Sequence, residues 1–372
     1  MRILLLGGSG TAGSLIARLL LHQSDAAVIL AGRRPAALQA AAERLRMEWP
    51  AGRVETRVAD AADGRSLRAA LEGADLLAVA SSSLPYVHEV AWAALEAGVD
   101  YYDLQLSSPA KHAVLRRLEP VIAERGRCFI TDGGIHPGLS AVLVRSVAPQ
   151  FDRLASAQLG LMMRADWNAY DVSPDTIREL TDEMRDYGTG ALQGGVWRRL
   201  GWNEMQRRLD FGPPFGAVQC SVMELEELRL LAASMPGLRD CGFFVSGFNW
   251  FTDYALLPLG WVALKAAPRT ASKPFGAAMA WSLRRFSRPP YATILQLEAE
   301  GDAEGRPLRV LRRTSHADGY HLTAAAAVAC LLQYLDGTIR RPGLWWQALA
   351  VEPDRFLAAL ESMDVRVTTE TP

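Results

Sequence analysis

The sequence predicts an α/β protein in which a doubly wound parallel sheet is followed by a second, mixed α/β domain. Six short apolar runs separated by helical segments fill roughly the first 135 residues. Such crossover connections produce a parallel sheet that is covered on both faces. A glycine-rich turn follows the first run, and the alternation ends beyond Pro137. We therefore expect domains at residues 1–137 and 138–315, and C-terminal elements at 316–372 that pack back on the first domain.

The apolar runs of the first domain predict six strands, and the segments between them predict five helices. The predicted strands are Arg2–Leu6, Ala27–Ala31, Val54–Ala59, Leu76–Ala80, Tyr101–Leu104 and Cys128–Thr131. The predicted helices are Thr11–Leu21, Pro35–Glu48, Ser66–Leu71, Pro85–Ala97 and Ser108–Arg125. Proline opens the second helix and glycine follows the last two, as is usual at helix boundaries.

The second domain has weaker periodicity, and residues 188–250 are rich in Gly, Trp and Phe without a clear pattern. Elsewhere the sequence predicts the strands Ala157–Arg164, Tyr291–Ala299 and Leu308–Thr314, with a turn over Gly301–Gly305 between the last two. It also predicts the helices Ser173–Asp186, Leu322–Leu335 and Pro353–Met363. This mixture of elements predicts a second, mixed α/β domain.

The composition excludes several classes of protein. The 372 residues include 40 Lys and Arg and 41 Asp and Glu, and 49% of the residues are apolar. That balance is typical of a globular chain, and the net charge of −1 gives no global attraction to nucleic acid. The four cysteines are far apart and show no metal signature, so we expect buried thiols in a reducing compartment. No apolar run is long enough to span a membrane, which predicts a cytoplasmic protein.

The strongest motif lies between the first strand and the first helix. The residues are Gly7, Gly8, Ser9, Gly10, Thr11, Ala12 and Gly13. They contain the pattern GxGxxG, in which glycines allow a tight turn, close approach of a pyrophosphate and close packing of the helix on the strand. The position before a helix and inside a series of βα units is the context that this pattern requires. The alternative is a glycine turn with an architectural role only.

Arginines after the second strand favour a phosphorylated cofactor. Arg33 lies 20 positions beyond Gly13, beside Arg34, and no carboxylate is near. An NAD enzyme places Asp or Glu there for the ribose hydroxyl, whereas a guanidinium binds a 2′-phosphate. We therefore expect NADP(H) in preference to NAD(H). The alternative is that both arginines lie on a solvated start of a helix.

Three further residues follow the third and fourth strands, where ligands of a parallel sheet are bound. Asp60 is a candidate acceptor for the adenine amino group. Ser81 and Ser82 are candidates for contact with the pyrophosphate and the nicotinamide. These positions complete the predicted cofactor site.

Several segments together resemble the saccharopine dehydrogenase-like oxidoreductases. They are GGSGTAG, AGRR, Val58–Asp60, Ala91–Asp103, GGIHPGL at Gly133–Leu139, and Asp318–Gly337. The resemblance implies a Rossmann domain, a second α/β domain with the substrate side and a homodimer contact, and C-terminal elements that return to the first domain. Saccharopine-forming members reduce an imine with a nicotinamide hydride. The sequence shows no recognisable arginine pair for a dicarboxylate substrate, so the substrate stays open.

Two residues are candidates for catalysis of a reduction, which needs a proton donor and a contact for the substrate. His136 lies among glycines after the sixth strand, where it is either an acid or substrate contact or a residue that only holds the loop. Tyr102 lies at the end of the fifth strand. We expect a small-molecule substrate near Ser82, Tyr102 and His136.

Residues 254–297 contain no Asp or Glu but carry six Lys and Arg among Trp, Phe and Leu. Three interpretations stay open: core and solvated loop, a peripheral membrane contact through 254–290, or a lid for an apolar substrate. The sequence thus predicts an NADP(H)-dependent oxidoreductase acting on a C=N or C=O substrate. The alternative is a non-catalytic NADP-binding protein associated peripherally with a membrane.

Overall fold

The structure, a computed structural model, describes residues 1–170, 177, 181 and 188–371. The chain forms two compact units, Met1–Leu139 with Thr323–Met363, and Ser140–Leu322 with Asp364–Pro372. The helix predicted over Ser173–Asp186 lies outside the described residues apart from Ile177 and Thr181, which are helical.

A parallel sheet of seven strands forms the centre of the first unit. Numbered in chain order, the strands are β1 (Arg2–Leu6), β2 (Ala27–Gly32), β3 (Val54–Val58), β4 (Leu76–Val79), β5 (Asp100–Asp103), β6 (Cys128–Thr131) and β15 (Gly343–Trp346). Their order is β15-β6-β5-β4-β1-β2-β3, and every pair is parallel. The order reverses between β1 and β4, and ligands of such sheets bind beyond the strand ends at this switch point.

Helices alternate with these strands because each parallel connection must cross the sheet. They are α1 (Thr11–Gln23), α2 (Pro35–Arg46), α3 (Gly64–Leu71), α4 (Val87–Ala97) and α5 (Pro109–Glu124), and two further helices, α11 (Gln347–Ala350) and α12 (Pro353–Ser362), follow β15. Leu4, Ile29, Leu77 and Phe129 of the sheet belong to one buried cluster with residues of the helices, such as Leu115. The strands are therefore apolar along their length, as both faces of the sheet are covered.

The second unit is built on a mixed sheet. Its strands are β7 (Arg153–Arg164), β8 (Gly190–Gln193), β9 (Val196–Arg199), β10 (Gln206–Asp210), β11 (Ala217–Val222), β12 (Asp240–Ser246), β13 (Ala292–Ala303), β14 (Arg306–His316) and β16 (Arg366–Glu370). The main order is β10-β11-β12-β7-β13-β14-β16. Outside this order, β8 pairs with both β12 and β9. Only β12 and β7 pair in parallel among the described strands of this sheet.

The helices of the second unit are α6 (Ser140–Val147), α7 (Glu226–Ser234), α8 (Leu257–Ala266) and α9 (Pro268–Phe286), and a π-helical turn at Thr252–Leu256 precedes α8. The helix α10 (Gly319–Leu335) begins in this unit and continues into the first one. The predicted α/β class, with an N-terminal doubly wound sheet and a second mixed part, is confirmed.

The turn between β13 and β14 is tighter than the predicted Gly301–Gly305. The pairing continues to Ala303 and Arg306, which leaves only Glu304 and Gly305 to reverse the chain. These two residues have φ values of +52° and +73°, the left-handed conformation of a two-residue hairpin turn. Polar residues at the ends of both strands concealed this extension of the pattern.

Candidate functional site

The glycine-rich turn closes on its own backbone at the switch point of the sheet. Gly7 has a φ of +90°, and its N–H donates to the carbonyl of Ala31 at 2.8 Å. The N–H of Gly10 donates to the carbonyl of Gly7 at 2.9 Å. A Cβ on Gly7 would lie 2.8 Å from the carbonyl oxygen of Ala80 and 2.9 Å from Cβ of Ser81. The ends of β1 and β4 are therefore in contact at this turn.

Two other positions of the motif also exclude any side chain. A Cβ on Gly8 would lie 2.9 Å from Cα of Leu30, and a Cβ on Gly13 would lie 2.3 Å from the carbonyl oxygen of Gly7. Both contacts are with backbone atoms, which a rotamer change cannot relieve. The helix α1 thus begins directly against the sheet, and Gly10 at its N-cap is exposed.

The N-terminus of α1 has the properties of an anion site. The first N–H groups of a helix have no partner within the helix, and the dipole there is positive. The helix has 13 residues, and no acidic residue lies in its first turn. A pyrophosphate is therefore the ligand that this end of the sheet suits.

The residues predicted to contact the 2′-phosphate and the adenine follow the neighbouring strands. Arg33 and Arg34 follow β2 directly and are exposed, and Arg34 is the N-cap of α2. Asp60 follows β3, and its Oδ1 accepts a hydrogen bond from the N–H of Ala62 at 3.1 Å. The structure therefore places the arginines one strand from the glycine turn and Asp60 one strand further.

The serines after β4 are joined to the end of β5. The hydroxyl groups of Ser81 and Ser83 are 2.9 Å apart, and the side chain of Gln105 donates to Ser83 at 3.0 Å. Ser82 between them is exposed. Ser81 is thus the serine that lies beside the glycine turn.

The two predicted catalytic residues are connected through the loop that follows β6. Tyr102 is 1% exposed, and its hydroxyl donates to Oε1 of Gln347 at 2.7 Å. The amide of Gln347 in turn donates to the carbonyl of Gly134 at 3.2 Å. A Cβ on Gly133 would lie 2.2 Å from the Tyr102 hydroxyl. Tyr102 and Gln347 therefore hold the loop on which His136 stands.

His136 is a neutral ring in this setting. Desolvation lowers its pKa to about 4, so the imidazole carries no charge at neutral pH. The loop around it is tight, because Gly134 and Gly138 have φ values of +103° and +120°. A neutral imidazole donates one hydrogen bond and accepts another.

A buried charged cluster lies at the ends of β5 and β6 and consists of Asp103, Lys111, His112 and Asp132. The ammonium group of Lys111 contacts Oδ1 of Asp103 at 2.9 Å, Oδ1 of Asp132 at 2.6 Å and the carbonyl of Gln105 at 2.8 Å. These three partners match the three donors of a lysine. All four side chains are buried.

Hydrogen bonds fix the protonation of the cluster. Nε2 of His112 lies 2.9 Å from Oδ2 of Asp132, and the hydroxyl of Ser107 donates to the same oxygen at 2.9 Å. Burial disfavours the charged form of Asp132. Lys111 and His112 nevertheless hold the pKa of Asp132 well below its ordinary value. Burial likewise opposes the charge of Lys111, and the two carboxylates raise its pKa above the usual value. Because an ionised carboxylate only accepts, Nε2 of His112 carries a proton.

Sequence analysis missed this cluster, although one signal was present. Lys111 and His112 lie in the first turns of α5, whose N-cap Ser108 accepts a hydrogen bond from the N–H of Lys111. Cations are unfavourable at a helix N-terminus, so two basic residues there indicate acidic partners nearby. Gln347 had no local signal, because it comes from a distant C-terminal segment.

One part of the chain matches a known family, and the whole chain is similar in structure to a solved protein. Residues 3–128 match the family described as Saccharopine dehydrogenase NADP binding domain. No curated protein sequence matches the chain. The chain is similar in structure to apo saccharopine dehydrogenase (L-Glu forming) from Saccharomyces cerevisiae, with 16% identity, a TM-score of 0.67, and coverage of 100% of this chain and 99% of that chain.

A second similar structure is biliverdin reductase in complex with biliverdin and NADP+ from Synechocystis sp. PCC 6803. It has 14% identity and a TM-score of 0.40, with coverage of 98% of this chain and 96% of that chain. The family match confirms the predicted NADP-binding domain at residues 3–128, and the similarity to saccharopine dehydrogenase confirms the predicted fold.

The residues present fit a bound dinucleotide. The glycine positions form a cradle that a Cβ would fill, α1 offers its N-terminus, and arginines stand at the end of β2. Residues 3–128 thus match the saccharopine dehydrogenase NADP binding domain, and the whole chain has a fold similar to that of a saccharopine dehydrogenase.

Proposed function

We propose that this protein is an NADP(H)-dependent oxidoreductase that transfers a hydride to or from a C=N or C=O substrate. The observation that carries the proposal is the glycine turn at the switch point, beside a strand that ends in Arg33 and Arg34. A reduced nicotinamide bound there supplies the hydride. The substrate itself stays open.

The preference for NADP(H) rests on charge at the end of β2. A guanidinium there attracts a 2′-phosphate and donates two parallel hydrogen bonds, whereas a carboxylate would repel it. The residues directly after β2 are Arg33, Arg34 and Pro35, and Asp60 follows the next strand, β3. We therefore assign the 2′-phosphate to Arg33 and Arg34.

The roles of the two predicted catalytic residues differ. Because the ring of His136 is neutral, we assign it to a hydrogen bond with the substrate and not to proton donation as an imidazolium. The Tyr102 hydroxyl donates its hydrogen bond to Gln347. We therefore assign Tyr102 to positioning of the loop that carries His136. Both roles stay predictions.

Calorimetric titration with NADPH and NADH tests the cofactor half. We expect micromolar binding of NADPH, weaker binding of NADH, and a loss of about 10- to 100-fold in NADPH affinity in Arg33→Ala. Arg44→Ala, an exposed arginine in the last turn of α2, is the matched control and should bind as the wild type does. If neither nucleotide binds, the glycine turn has an architectural role only.

Turnover separates the enzyme from the alternative of a non-catalytic NADP-binding protein. Consumption of NADPH with a series of imines, ketones and long-chain carbonyl compounds supports the enzyme. Nucleotide binding without turnover across the whole series supports the alternative. The homodimer implied by the family resemblance stays a prediction that sedimentation analysis can check.

A further inference from the structure

The outer face of helix α8 is apolar and exposed. Leu259 and Val262 are 72% and 56% exposed. The other exposed described residues of this helix are Pro258, Ala263 and Ala266. Their spacing places them on one face, since residues three and four apart are neighbours on a helix. The opposite side packs inward through Leu264, which is 1% exposed and lies in a core cluster with Phe275 and Met279.

Exposed aromatic rings accompany this helix. Trp250, Tyr254 and Trp281 are 63%, 63% and 54% exposed. The centroid of the Trp250 ring lies 5.4 Å from that of Phe286, and the centroid of Trp281 lies 5.8 Å from that of Phe251. We refer to Trp250, Tyr254, Leu259, Val262 and Trp281 as the apolar surface.

Exposed large apolar side chains are concentrated in this segment of the chain. Eleven large apolar side chains are exposed among the described residues, and five of them lie between residues 250 and 281. Single exposed apolar residues are normal, whereas a group of them marks a contact with something else.

The segment of the chain that carries most of this surface is cationic. No Asp or Glu occurs between residues 254 and 297. Lys273, Arg284, Arg285 and Arg288 are exposed, and the guanidinium carbon of Arg285 lies 5.7 Å from the centroid of the Phe286 ring. Asp253, just before this stretch, directs its Oδ2 to the N–H of Gly247 at 3.2 Å.

We propose that the apolar surface docks on an anionic lipid membrane, with α8 lying in the plane of the interface. Apolar and aromatic side chains enter the boundary between headgroups and acyl chains, while Lys and Arg contact the lipid phosphates. The helix has 10 residues, too few to span a bilayer. None of the described helices is long and apolar enough to cross a membrane. This docking goes beyond the proposed reaction and does not depend on it.

Charge favours a membrane over a second copy of the chain as the occupant. A twofold dimer brings the same patch of both copies together. The arginines and the lysine beside the apolar surface of one copy would then approach those of the other copy. Residues 254–297 offer no acidic residue to pair with them. An anionic membrane offers the opposite charge in a plane, which suits a cationic patch with apolar residues within it.

Vesicle flotation with the full-length protein tests the proposal. The probes are vesicles of phosphatidylcholine alone and vesicles that also contain phosphatidylserine at about a third of the lipid. We expect binding to the anionic vesicles at low salt, weaker binding to neutral ones, and release by high salt, because salt screens exposed charges. Arg284→Glu/Arg285→Glu should reduce binding by about tenfold or more.

A second variant tests the apolar contribution, and each variant has a control. Leu259→Ser/Val262→Ser should also reduce binding by about tenfold, because it removes the largest apolar contacts of α8. Val196→Ser removes a residue that is 63% exposed elsewhere in the same unit, and Arg44→Glu/Arg117→Glu reverses two exposed charges of the first unit. Both controls should bind vesicles as the wild type does.

Two results would overturn the proposal. One is an absence of wild-type binding to the anionic vesicles at low salt. The other is a dimer, seen by sedimentation without lipid, that Leu259→Ser/Val262→Ser dissociates while vesicle binding is unchanged; the apolar surface would then be a contact between copies. Titration with NADPH on the same variants keeps the two proposals separate, since cofactor binding should be unaffected.

Discussion

The buried charged cluster of the first unit and the apolar surface of the second depart in opposite directions from the usual distribution of residues. The first places two carboxylates, a lysine and a histidine inside the protein. The second leaves Trp, Tyr, Leu and Val side chains more than half exposed. Buried charges and exposed apolar groups are both unfavourable unless something compensates them.

The compensation differs between the two regions. Lys111 finds three acceptors, and Asp132 receives hydrogen bonds from His112 and Ser107, so the charged cluster is satisfied within the chain. The apolar surface is covered by none of the described residues. Buried charges that are paired within the chain contribute to how the structure is held together. Exposed apolar side chains that no part of the described chain covers are what our docking proposal addresses.

The largest effect is expected from breaking the charged cluster. Lys111→Met keeps the length of the side chain but leaves two buried carboxylates without their cation. We expect a loss of about 3–5 kcal/mol in the free energy of unfolding, since a buried charge without its partner is strongly destabilising. Urea unfolding, together with hydrogen exchange of β5 and β6, measures this loss.

A second substitution shows whether the loss comes from charge. Lys111→Met/Asp132→Asn removes one carboxylate as well and should recover part of the stability. Lys273→Met, at an exposed lysine, should change stability by less than about 0.5 kcal/mol. A loss below about 1 kcal/mol in Lys111→Met would show that the cluster is not held by its ion pairs.

The sequence predicted the first unit better than the second for a physical reason. Strands of a covered parallel sheet are continuous apolar runs, so the composition of the sequence predicts β1 to β6, and glycines mark the turn after β1. The strands of residues 188–250 are short or partly exposed, as in β9 and β10, and their alternation is weak. Contacts such as Tyr102 with Gln347 join residues 245 positions apart, and no local pattern predicts them.

Asp253 is a partly buried acid in the second unit, with a buried carboxyl oxygen, Oδ1. Asp253 accepts a hydrogen bond from the N–H of Gly247, and its Oδ1 has no hydrogen-bond partner among the described residues. Burial raises its pKa to about 6, above the value of about 3.9 in an unfolded chain. The protonated acid therefore stabilises the fold fully below about pH 4, and this contribution is lost as the pH rises to about 6.

Replacing this carboxyl should remove the pH dependence that it causes. The free energy of unfolding of Asp253→Asn relative to the wild type should increase by about 2–3 kcal/mol between pH 4 and pH 6. Urea unfolding at a series of pH values measures the difference, with the exposed Asp25→Asn as the control. A constant difference across this range would mean that Asp253 is ionised in the folded protein. The groups around the carboxylate would then stabilise its charge more than the structure indicates.

The smallest effect is expected at the apolar surface itself. Leu259→Ser/Val262→Ser removes two large apolar side chains, but both are more than half exposed and bury little area on folding. We expect the free energy of unfolding to change by less than about 0.5 kcal/mol. The same chemical change at Leu264, which is 1% exposed in the core beside α8, should cost about 2–5 kcal/mol. If both variants lost stability equally, the outer face of α8 would belong to the core, and the distinction between the two regions would fail.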